Sequence, residues 1–430
     1  MNGRFVNHGI SFVTKINNSN NQNGGGIVNV VTSAFSLRLL EGQPEHLGAK
    51  GYEVTVISSP GQELSHAQRA GLKTVALPMA REISPLRDLV AFWRLLRAMI
   101  QLRPIIANAA TPKAGLLAGL AAAACRVPCR YYTLAGLRCE TARGLKRRLL
   151  VLAERMACRC AHRVICVSES LRQQVIELGI VETKRTVVLA SGSCCGVDAA
   201  RFAPSAERAT RAAQIRQTLG IPADAPVIGF VGRLTKDKGL SELVQAYLKL
   251  RARISQLKLL IVGPMEDGDP LPPTIRNAIA THPGIVHTGF VQDPVNYYHV
   301  MDVLALPTYR EGFPTVVLEA HAAGKPIVST RATGMVDAVI DGVTGVLVPV
   351  GDADALAGAL GSVLRDRSLA ARLGAAGRER VLREFRQEVV LHALAQQYQE
   401  LLQEKGLASP AGSVKSMTEA EFRNGPVFSR

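Results

Sequence analysis

Residues 310–326 read REGFPTVVLEAHAAGKP, and they are the most informative segment of the chain. The apolar run VLALP at 303–307 precedes it and predicts a short buried strand closed by proline. Pro314 suits the first turn of a helix, where its missing N–H group costs nothing. Gly324 suits the left-handed position after that helix, and the proline two residues later prevents its continuation. The segment therefore predicts a strand, a tight loop, a short helix and a second strand over residues 326–330.

The loop before this helix predicts an anion site flanked by two carboxylates. The backbone N–H groups of residues 312–316 are left unpaired at a helix N-terminus, which suits a phosphate group. Glu311 and Glu319 offer oxygens that accept hydrogen bonds from hydroxyl groups, as on a ribose or a hexose. Acidic residues near a helix N-terminus also favour its dipole without any ligand. The complete segment favours a nucleotide-sugar site over that structural role.

The spacing Glu-x7-Glu in the setting YREGFPTVVLEAHAAGKP resembles family 4 of the glycosyltransferases, and the resemblance runs from about Ile27 to Phe385. Members of this family are retaining enzymes of GT-B architecture, in which two Rossmann-like domains with parallel sheets face an interdomain cleft. The sequence looks most similar to the branch that builds capsular and extracellular polysaccharides. The resemblance implies an α/β fold of this architecture and a nucleotide-diphosphate sugar as donor.

The resemblance also implies roles for single residues. Glu311 would bind hydroxyl groups of the donor sugar, and Glu319 would bind the ribose. The base pocket, for which uridine is the expected base, would be lined by Gly263 and Pro264. The other donor-binding residues in this segment would be Gly312, Phe313, Pro314, Thr315 and Val316, whose available N–H groups would point to sugar and phosphate.

A second motif, GRLTKDKG at 232–239, follows the first apolar strand of the second half. Arginine can fork onto phosphate oxygens, and lysine can act as a point charge. Cations are common on protein surfaces, so this motif has little weight alone. Together with the resemblance, it implies that Gly232, Arg233 and Lys238 bind the donor diphosphate. The predicted catalytic residues are Arg233, Lys238 and Glu311.

No metal and no cofactor are expected at this site. Two Asp-x-Asp patterns exist, but residues 267–269 lie in a proline-rich loop and residues 352–354 open a helix. Breaking a sugar–phosphate bond leaves charge on the departing diphosphate, which fixed cations and helix N–H groups stabilise. We therefore predict that Arg233 and Lys238 take the place of a metal. The eight cysteines predict free thiols rather than metal ligands or disulfides.

Alternating helix and strand patterns predict parallel sheets covered by helices on both faces. We predict an N-terminal acceptor-side domain over residues 27–198 and a nucleotide-sugar-binding domain over 199–385. A C-terminal helix over 386–405 is expected to pack back on the first domain, as is usual in the family that the chain resembles. Residues 1–26 and 406–430 are expected to be a disordered leader and a disordered tail.

The 430 residues carry a formal net charge of +16, most of it in the first half of the chain. Such a charge suits nucleic acid or an anionic membrane. An aromatic content of 5% without basic–aromatic interleaving argues against a nucleic-acid partner. The N-terminus lacks a secretory signal pattern, and the apolar residues 114–125 are too few to span a bilayer. We expect a cytoplasmic protein that lies at the inner face of the cell membrane.

Residues 144–160 predict the most basic helix of the chain. Leu145, Leu149, Leu152 and Met156 recur at three- and four-residue spacing, so we predict that they form a buried stripe. The cations then lie on another face, which is either solvated or in contact with anionic lipid headgroups. The resemblance favours the membrane, because acceptors in this branch are often polyprenyl-diphosphate-linked sugars.

The first domain departs from the family pattern. Asn108, Ala110 and Ala135 stand where the branch usually has histidine, and the last of these histidines commonly faces the transferring sugar. Cys195 stands in place of an asparagine near the domain crossing, and residues 334–337 lack a usual polar pair. The acceptor-side residues that we predict are Ser36, Arg38, Lys113 and Arg138.

The main hypothesis is a retaining hexosyltransferase that moves a sugar from a UDP-sugar to a lipid-linked or polysaccharide acceptor. The donor side matches the family whereas the acceptor side departs from it. The alternative is therefore a donor-binding relative with weakened or lost transferase activity that acts as a scaffold or partner. Two further options are a sugar-nucleotide epimerase, which would act without an acceptor, and a nucleic-acid-binding protein, whose affinity would depend steeply on salt.

Overall fold

The computed structural model describes residues 26–80, 82, 84–266 and 268–410. The predicted leader, apart from Gly26, and the predicted tail beyond residue 410 lie outside the described residues. Two parallel sheets organise the rest, one in each half of the chain. This arrangement confirms the predicted α/β architecture of two Rossmann-like domains.

The N-terminal half contains seven described strands. They are β1 (Gly26–Val30), β2 (Glu53–Ser58), β3 (Lys73–Ala76), β4 (Ile106–Ala109), β5 (Cys129–Leu134), β6 (Arg163–Cys166) and β7 (Thr186–Val187). They pair in parallel in the order β3-β2-β1-β4-β5-β6-β7, and the register places Asn29 of β1 beside Asn108 of β4. Most of the central strands are buried along their length, as expected for a parallel sheet covered on both faces.

Helices cover both faces of this sheet. They are a 3-10 helix (Ala34–Leu40), α1 (Gln43–Ala49), α2 (Gln62–Arg69), α3 (Pro85–Leu102), α4 (Pro112–Ala124), α5 (Gly144–Cys160), α6 (Glu169–Glu177) and a 3-10 turn (Thr183–Arg185). Proline occupies the first turn of α3 and α4, where no backbone donor is lost. Helices α3, α4 and α5 pack side by side on one face, with α4 in the middle.

The C-terminal half repeats this plan. Its strands are β8 (Val227–Val231), β9 (Lys258–Val262), β10 (Ile285–His287), β11 (Val303–Leu306), β12 (Ile327–Thr330) and β13 (Gly345–Val348), in the order β10-β9-β8-β11-β12-β13. Its helical segments are α7 (Ala199–Phe202), α8 (Ala206–Thr218), a 3-10 turn (Lys236–Lys238), α9 (Leu240–Arg251), α10 (Pro273–Thr281), α11 (Val295–Val300), α12 (Thr315–Ala322), α13 (Met335–Ala338), α14 (Ala353–Arg365), α15 (Arg367–Arg380), a π-helical turn (Val381–Phe385) and α16 (Gln387–Glu404). The strand, loop, helix and strand predicted around residues 310–326 are β11, its following loop, α12 and β12.

Each sheet reverses its strand order beside its first strand. The switch lies between β1 and β4 in the N-terminal sheet and between β8 and β11 in the C-terminal sheet. Ligands of such sheets bind outside the carboxyl ends of the strands at this point. The loops meet there in both halves: Thr32 Oγ1 lies 2.7 Å from Thr111 Oγ1, and Thr308 Oγ1 donates to the Asp237 carbonyl at 3.1 Å.

The chain crosses between the halves twice, and the two crossings are hydrogen-bonded to each other. The Val197 N–H donates to the Phe385 carbonyl at 2.9 Å, and the Gln387 N–H donates to the Val197 carbonyl at 3.1 Å. Gly196 has a φ of +67°, and a Cβ atom there would lie 2.6 Å from the Phe385 carbonyl oxygen. The crossing therefore requires glycine. After it, α16 buries Tyr398 against the N-terminal sheet.

Helix α5 contradicts the buried stripe predicted for it. The side chains of that stripe are exposed, with fractions of 72% for Leu145, 51% for Leu149, 54% for Leu152 and 40% for Met156. The face buried against the domain carries Glu154, Ala157 and Cys158 instead. The reason is the narrow gap to α4, since a Cβ atom on Gly119 would lie 3.1 Å from Cys160 Cβ. Small side chains fit that gap, and leucine does not.

Two further features of the described chain bear on its surroundings. Among the described helices, none is long and apolar enough to cross a membrane. The eight cysteines are free thiols. Burial raises the pKa of Cys194, to about 12.

Candidate active site

An ion pair between two loops lies at the switch point of the C-terminal sheet. Lys238 ends the 3-10 turn after β8, and Glu311 lies in the loop between β11 and α12. Lys238 Nζ lies 2.5 Å from Glu311 Oε1, and both side chains are largely buried. Salt screens such a pair less than it screens a surface pair. The structure thus brings together two of the three predicted catalytic residues.

A second ion pair, which sequence reasoning did not single out, lies beside the first. Arg310 Nη2 is 2.8 Å from Asp237 Oδ2, and Thr235 Oγ1 donates to Asp237 Oδ1 at 2.6 Å. Burial alone would raise the pKa of Asp237, but the Thr235 hydrogen bond and the charges of Lys238 and Arg310 bring it below its usual value. Asp237 therefore stays ionised and joins the two loops. The sequence did contain a signal for this pair, because Asp237 lies in the motif at 232–239 and Arg310 begins the segment 310–326.

The loops after β8 and β9 interlock at the same edge of the sheet. Arg233 Nη1 lies 2.7 Å from Glu266 Oε2, so this third predicted catalytic residue is held by a different carboxylate. A Cβ atom on Gly263 would lie 1.8 Å from the Gly232 carbonyl oxygen, which excludes any larger residue there. The Pro264 carbonyl accepts a backbone hydrogen bond of 2.9 Å from the loop after β8.

Glu319 lies on α12, at the seam between the two halves. The Tyr298 hydroxyl donates a hydrogen bond to Glu319 Oε2. Burial raises the pKa of Glu319, while the Tyr298 hydrogen bond and the nearby charge of Arg38 act in the opposite direction. Arg38 belongs to the N-terminal half. Glu319 is therefore half-buried beside the N-terminal domain, with one oxygen already bonded.

The loop that carries Glu311 also touches the N-terminal domain. A Cβ atom on Gly312 would lie 2.1 Å from the Ala135 carbonyl oxygen, so the two backbones are in direct contact. Phe313 packs against the apolar cores of both halves, and its ring lies 5.2 Å from that of Phe385. The remaining predicted donor residues lie at the start of α12, with Pro314 at the N-cap and Thr315 and Val316 in the first turn.

The three positions that lack histidine have different surroundings. Asn108 is buried, donates to the Tyr398 hydroxyl at 3.0 Å and accepts from Thr133 Oγ1 at 3.0 Å. It therefore belongs to the packing of α16. Ala110 packs in a small apolar cluster. Ala135 alone of the three has a described contact with the donor loop, so the missing imidazole matters most there.

The first two predicted acceptor-side residues lie beside β1. Ser36 Oγ lies 2.9 Å from Ser33 Oγ, within one turn of the 3-10 helix. The Arg38 guanidinium stacks over the Phe35 ring at 4.9 Å. This group lies on the side of the seam that approaches Glu319.

The other two acceptor-side residues lie at the N-terminus of α3. Lys113 Nζ lies 2.7 Å from Asp88 Oδ1, and Arg138 Nη2 lies 3.6 Å from Glu82 Oε1. The structure therefore places Ser36 and Arg38 in the 3-10 helix after β1, and Lys113 and Arg138 beside the start of α3.

Glu140 is a cleft residue that the sequence did not single out. It follows β5, and burial raises its pKa, while the charge of Arg310 and hydrogen bonds with Thr333 and Gln174 lower it. Glu140 Oε1 is buried and has no hydrogen-bond partner among the described residues. The N-terminal domain thus presents a carboxylate to the loop that carries Glu311. The sole sequence signal for Glu140 was its position in the loop after a central strand.

Asp337, which links the two domains, was not singled out either. Its carboxylate accepts hydrogen bonds from the Glu169 and Ser170 N–H groups at 3.1 and 3.2 Å and from the Ser170 hydroxyl. Ser170 Oγ in turn accepts from the Gly334 N–H at 2.8 Å. A residue of the C-terminal domain thus caps helix α6 of the N-terminal domain. The segment 334–337 therefore connects the C-terminal domain to α6 through hydrogen bonds.

Neither Asp-x-Asp pattern forms a metal site in the described part of the chain. Asp352 caps α14 by accepting from the Asp354 and Ala355 N–H groups, and Asp267 lies outside the described residues. Within the described residues, no group of three or more His, Cys, Asp or Glu side chains could hold a metal ion.

Comparison with known proteins assigns the family. Residues 212–380 match the family "Glycosyl transferases group 1", and residues 39–192 match the "Glycosyl transferase 4-like domain". The capsular polysaccharide biosynthesis glycosyltransferase CapM of Staphylococcus aureus is 34% identical over 378 residues, covering 88% of this chain and 98% of CapM. The chain is a family 4 glycosyltransferase.

Other relatives of this glycosyltransferase agree. The lipopolysaccharide core biosynthesis glycosyltransferase LpsE of Rhizobium meliloti (strain 1021) is 32% identical over 185 residues, covering 42% of this chain and 52% of LpsE. The crystal structure of HepE from Anabaena with UDP-glucose has a TM-score of 0.71 at 20% identity, covering 87% of this chain and 99% of HepE. Together these similarities confirm the predicted GT-B fold and the predicted enzyme class.

Proposed function

We propose that this glycosyltransferase is a retaining hexosyltransferase that moves a sugar from a UDP-sugar to a lipid-linked or polysaccharide acceptor, without a metal. The observation that carries the proposal is the set of Arg233, Lys238 and Glu311 at the carboxyl edge of one sheet, beneath a loop of the other domain. Nucleotides bind at such edges. HepE, which has the same fold, was crystallised with UDP and with UDP-glucose. CapM is described as a capsular polysaccharide enzyme.

Donor binding would rearrange the ion pairs of the cleft. Lys238 pairs with Glu311 in the structure. A diphosphate would offer Lys238 new charge-assisted partners, which would free Glu311 to accept a hydrogen bond from a sugar hydroxyl. Arg233 would leave Glu266 for the phosphate in the same way. Fixed cations would then stabilise the charge that develops on the departing diphosphate.

The chemical step needs no carboxylate nucleophile in this proposal. The bond from the anomeric carbon to the diphosphate oxygen breaks, and its electron pair stays on the diphosphate. The acceptor hydroxyl attacks on the face that the diphosphate leaves, so the anomeric configuration is retained. Its proton passes to a diphosphate oxygen.

A second candidate function is a donor-binding relative with weakened or lost transfer, acting as a scaffold or partner. The observation that favours it is Ala135, which lies against Gly312 where the family usually has histidine. The substitution Ala135→His separates the two candidates. A large gain in donor hydrolysis or transfer supports an eroded enzyme, whereas unchanged activity supports a site that works without the imidazole.

We also propose that the protein works at the cytoplasmic face of the cell membrane. A lipid-linked acceptor would be presented there, and the basic N-terminal domain would contact anionic lipid. LpsE, described as a lipopolysaccharide core enzyme, is a relative whose name suits such an acceptor.

Calorimetric titration with several sugar nucleotides, with and without magnesium, tests the proposal. We expect binding of a UDP-sugar that is unchanged by magnesium and is lost in Lys238→Ala. The anomeric configuration of the transferred sugar, read by NMR, tests retention. Binding that requires magnesium, or no preference for a uridine nucleotide, would contradict the proposed donor chemistry.

A further inference from the structure

Helix α5 has an apolar face that points away from the protein. Leu145, Leu149, Leu152 and Met156 lie at intervals of three and four residues, so they share one side of the helix. At 3.6 residues per turn this side is opposite to the one that carries buried Glu154. An amphipathic surface helix normally turns its apolar stripe inward. In α5 the stripe is turned outward.

Helix α3 has the same arrangement. Its buried side carries Ala91, Leu95, Ala98 and Met99. A second apolar stripe on the opposite side is exposed: Leu86, Leu89, Val90, Trp93 and Ile100, with Trp93 59% exposed. The sequence shows a mixture of apolar residues here, and only the fold separates the stripe that forms the core from the stripe that does not.

Helix α4 joins these two faces into one surface. It lies between α3 and α5 and packs on both. Its residues are mainly Ala, Gly and Leu, and Leu116 and Leu120 are half-buried. Packed helices lie about 8–10 Å apart, so the outward faces of α3 and α5 flank α4 on one side of the domain. An exposed apolar area this wide is rare unless it has a partner.

Cations surround this three-helix surface, and acids are withdrawn from it. The exposed cations beside the two stripes include Arg94 and Arg97 on α3 and Lys146, Arg148 and Arg159 on α5. Each of the two helices carries one acid. Asp88 is bound to Lys113, and Glu154 is buried and accepts from the Tyr132 hydroxyl. Burial raises the pKa of Glu154 to about 7.

We infer that the outward faces of α3, α4 and α5 form a docking surface for an anionic lipid bilayer, with the leucines and Trp93 inserted at the headgroup level and the arginines on lipid phosphates. A protein partner would need an equally wide apolar area with acidic residues around it. An anionic bilayer has an apolar interior and negatively charged headgroups over its whole surface. Trp suits the interface because its ring is amphipathic. Cationic helices with an apolar face bind membranes in this way.

The position of the surface connects it to the cleft. Helices α3 and α5 begin where their preceding strands end, at the carboxyl edge of the sheet that faces the second domain. Leu86 and Leu145 therefore lie at the cleft end of the surface, and Lys113 and Arg138 lie beside the same end. An acceptor carried by a lipid would enter between bilayer and cleft there. This last step rests on the proposed function, whereas lipid binding itself does not.

Trp93 reports on docking without any substitution, because it is the sole tryptophan of the chain. The full chain is mixed with vesicles of phosphatidylglycerol and phosphatidylethanolamine, or of phosphatidylcholine alone. With the anionic vesicles we expect the emission maximum of Trp93 to move to shorter wavelength. We also expect protection from iodide and quenching by lipids with brominated acyl chains. Emission that stays unchanged and open to iodide while the protein is bound would overturn the inference.

Paired variants identify the residues responsible. We expect Leu149→Ser with Leu152→Ser to lower the vesicle partition coefficient roughly a hundred-fold. Arg148→Ser with Arg159→Ser should lower it roughly five-fold per charge. Equal binding by wild type and the double leucine variant would overturn the inference.

Two exposed positions of the C-terminal half provide matched controls for these variants. Leu248→Ser removes an exposed leucine of α9, and Arg253→Ser removes an exposed cation that follows it. Both lie outside the three-helix surface, so neither should change the vesicle partition coefficient. Losses equal to those of the paired variants would mean that binding is not confined to α3, α4 and α5, and would overturn the inference.

Two further measurements separate lipid docking from dimerisation and from donor binding. Analytical ultracentrifugation without lipid tests whether a second copy of the chain covers the surface; a dimer that the double leucine variant dissociates would overturn the inference. Titration of the same variants with UDP-glucose should give the affinity of the wild type. If wild type binds vesicles but no sugar nucleotide, the proposed function fails and the docking surface stands.

Discussion

The two halves of this glycosyltransferase share one topology but use the same point in it differently. In the C-terminal half, the loops at the switch point carry two buried ion pairs, Lys238 with Glu311 and Arg310 with Asp237. In the N-terminal half, the corresponding loops meet through the hydroxyls of Thr32 and Thr111. A fold therefore supplies the place for a site, and the loop residues decide which ligand it takes. Buried ion pairs therefore mark the switch point where a diphosphate is proposed to bind, and a hydroxyl pair marks the other.

The largest expected effect comes from Lys238→Ala, which removes a cation from the charged switch point. We expect kcat/KM to fall about a thousand-fold, or about 4 kcal/mol, because a preorganised group that stabilises leaving-group charge is worth this much. Steady-state kinetics with the donor identified by titration gives the value. Lys236→Ala, two residues earlier and exposed, is the control. A fall in kcat/KM of less than ten-fold would contradict the proposal that the charged switch point of the C-terminal half carries the catalysis.

The second effect concerns the pH dependence of the N-terminal half. Burial raises the pKa of Glu154 from 4.5 to about 7, so the folded state binds this proton more tightly than the unfolded state does. The stabilisation by the bound proton is complete below pH 4.5 and is lost as the pH rises to about 7, by about 3 kcal/mol. Glu154→Gln should remove this loss. Melting temperatures at pH 5 and pH 8 measure it.

Glu177→Gln is the control for this pH effect, because Glu177 is exposed on α6. It should leave the difference between pH 5 and pH 8 as in wild type. If Glu154→Gln also leaves the difference unchanged, then Glu154 is not the group that makes the N-terminal half sensitive to pH in this range.

The third effect tests the contact between the two switch points. Gly312→Ala places a Cβ atom 2.1 Å from the Ala135 carbonyl oxygen, so the domains must move apart. We expect kcat/KM for transfer to fall about a hundred-fold, since misplacement by about 1 Å costs this much. Donor affinity should change far less, because Arg233 and Lys238 remain available to the diphosphate. Gly358→Ala on α14, where a Cβ atom meets nothing within 4 Å, is the control. Unchanged transfer would mean that the contact is not needed for catalysis.

The smallest effect separates Asn108 from Ala135, two positions at which the family usually has histidine. Asn108→Ala leaves the Tyr398 and Thr133 hydroxyls without their buried partner. We expect a cost of about 2 kcal/mol in stability and no change in donor affinity. Thermal unfolding and titration measure the two quantities, and Asn277→Ala, exposed on α10, is the control. Loss of donor affinity with unchanged stability would place Asn108 in the site.

Local sequence was sufficient to predict the elements around α12 in the C-terminal half, because proline, glycine and short apolar runs constrain the backbone directly. Pro314 and Gly324 set the two ends of α12, and the strand on either side follows from short apolar runs. The loop residues Lys238 and Glu311 then meet because both follow strands of one parallel sheet. Adjacent strand ends bring their loops together whatever the side chains are, so spacing along the chain was enough.

Periodicity failed where two faces of a helix were both apolar. It indicates the side of a helix that a residue occupies but not which side is inward. In α5 the packing of α4 decides, since the gap beside Gly119 accepts Ala157 and Cys158 and excludes leucine. Glu140 and Asp337 were missed for a related reason, because their partners belong to the other domain and lie far away in the sequence.

The paired crossings at Val197 and Phe385 have a consequence for protein engineering. Because α16 returns to the first half, cutting the chain at the first crossing would not yield two independent pieces. The amino-terminal piece would lose the helix that covers Tyr131 and would expose an apolar face of its sheet. The carboxyl-terminal piece would carry α16 without the sheet against which this helix packs. Chimeras that exchange donor specificity between such enzymes should therefore graft residues 199–385 as an insert and keep both flanks from a single parent.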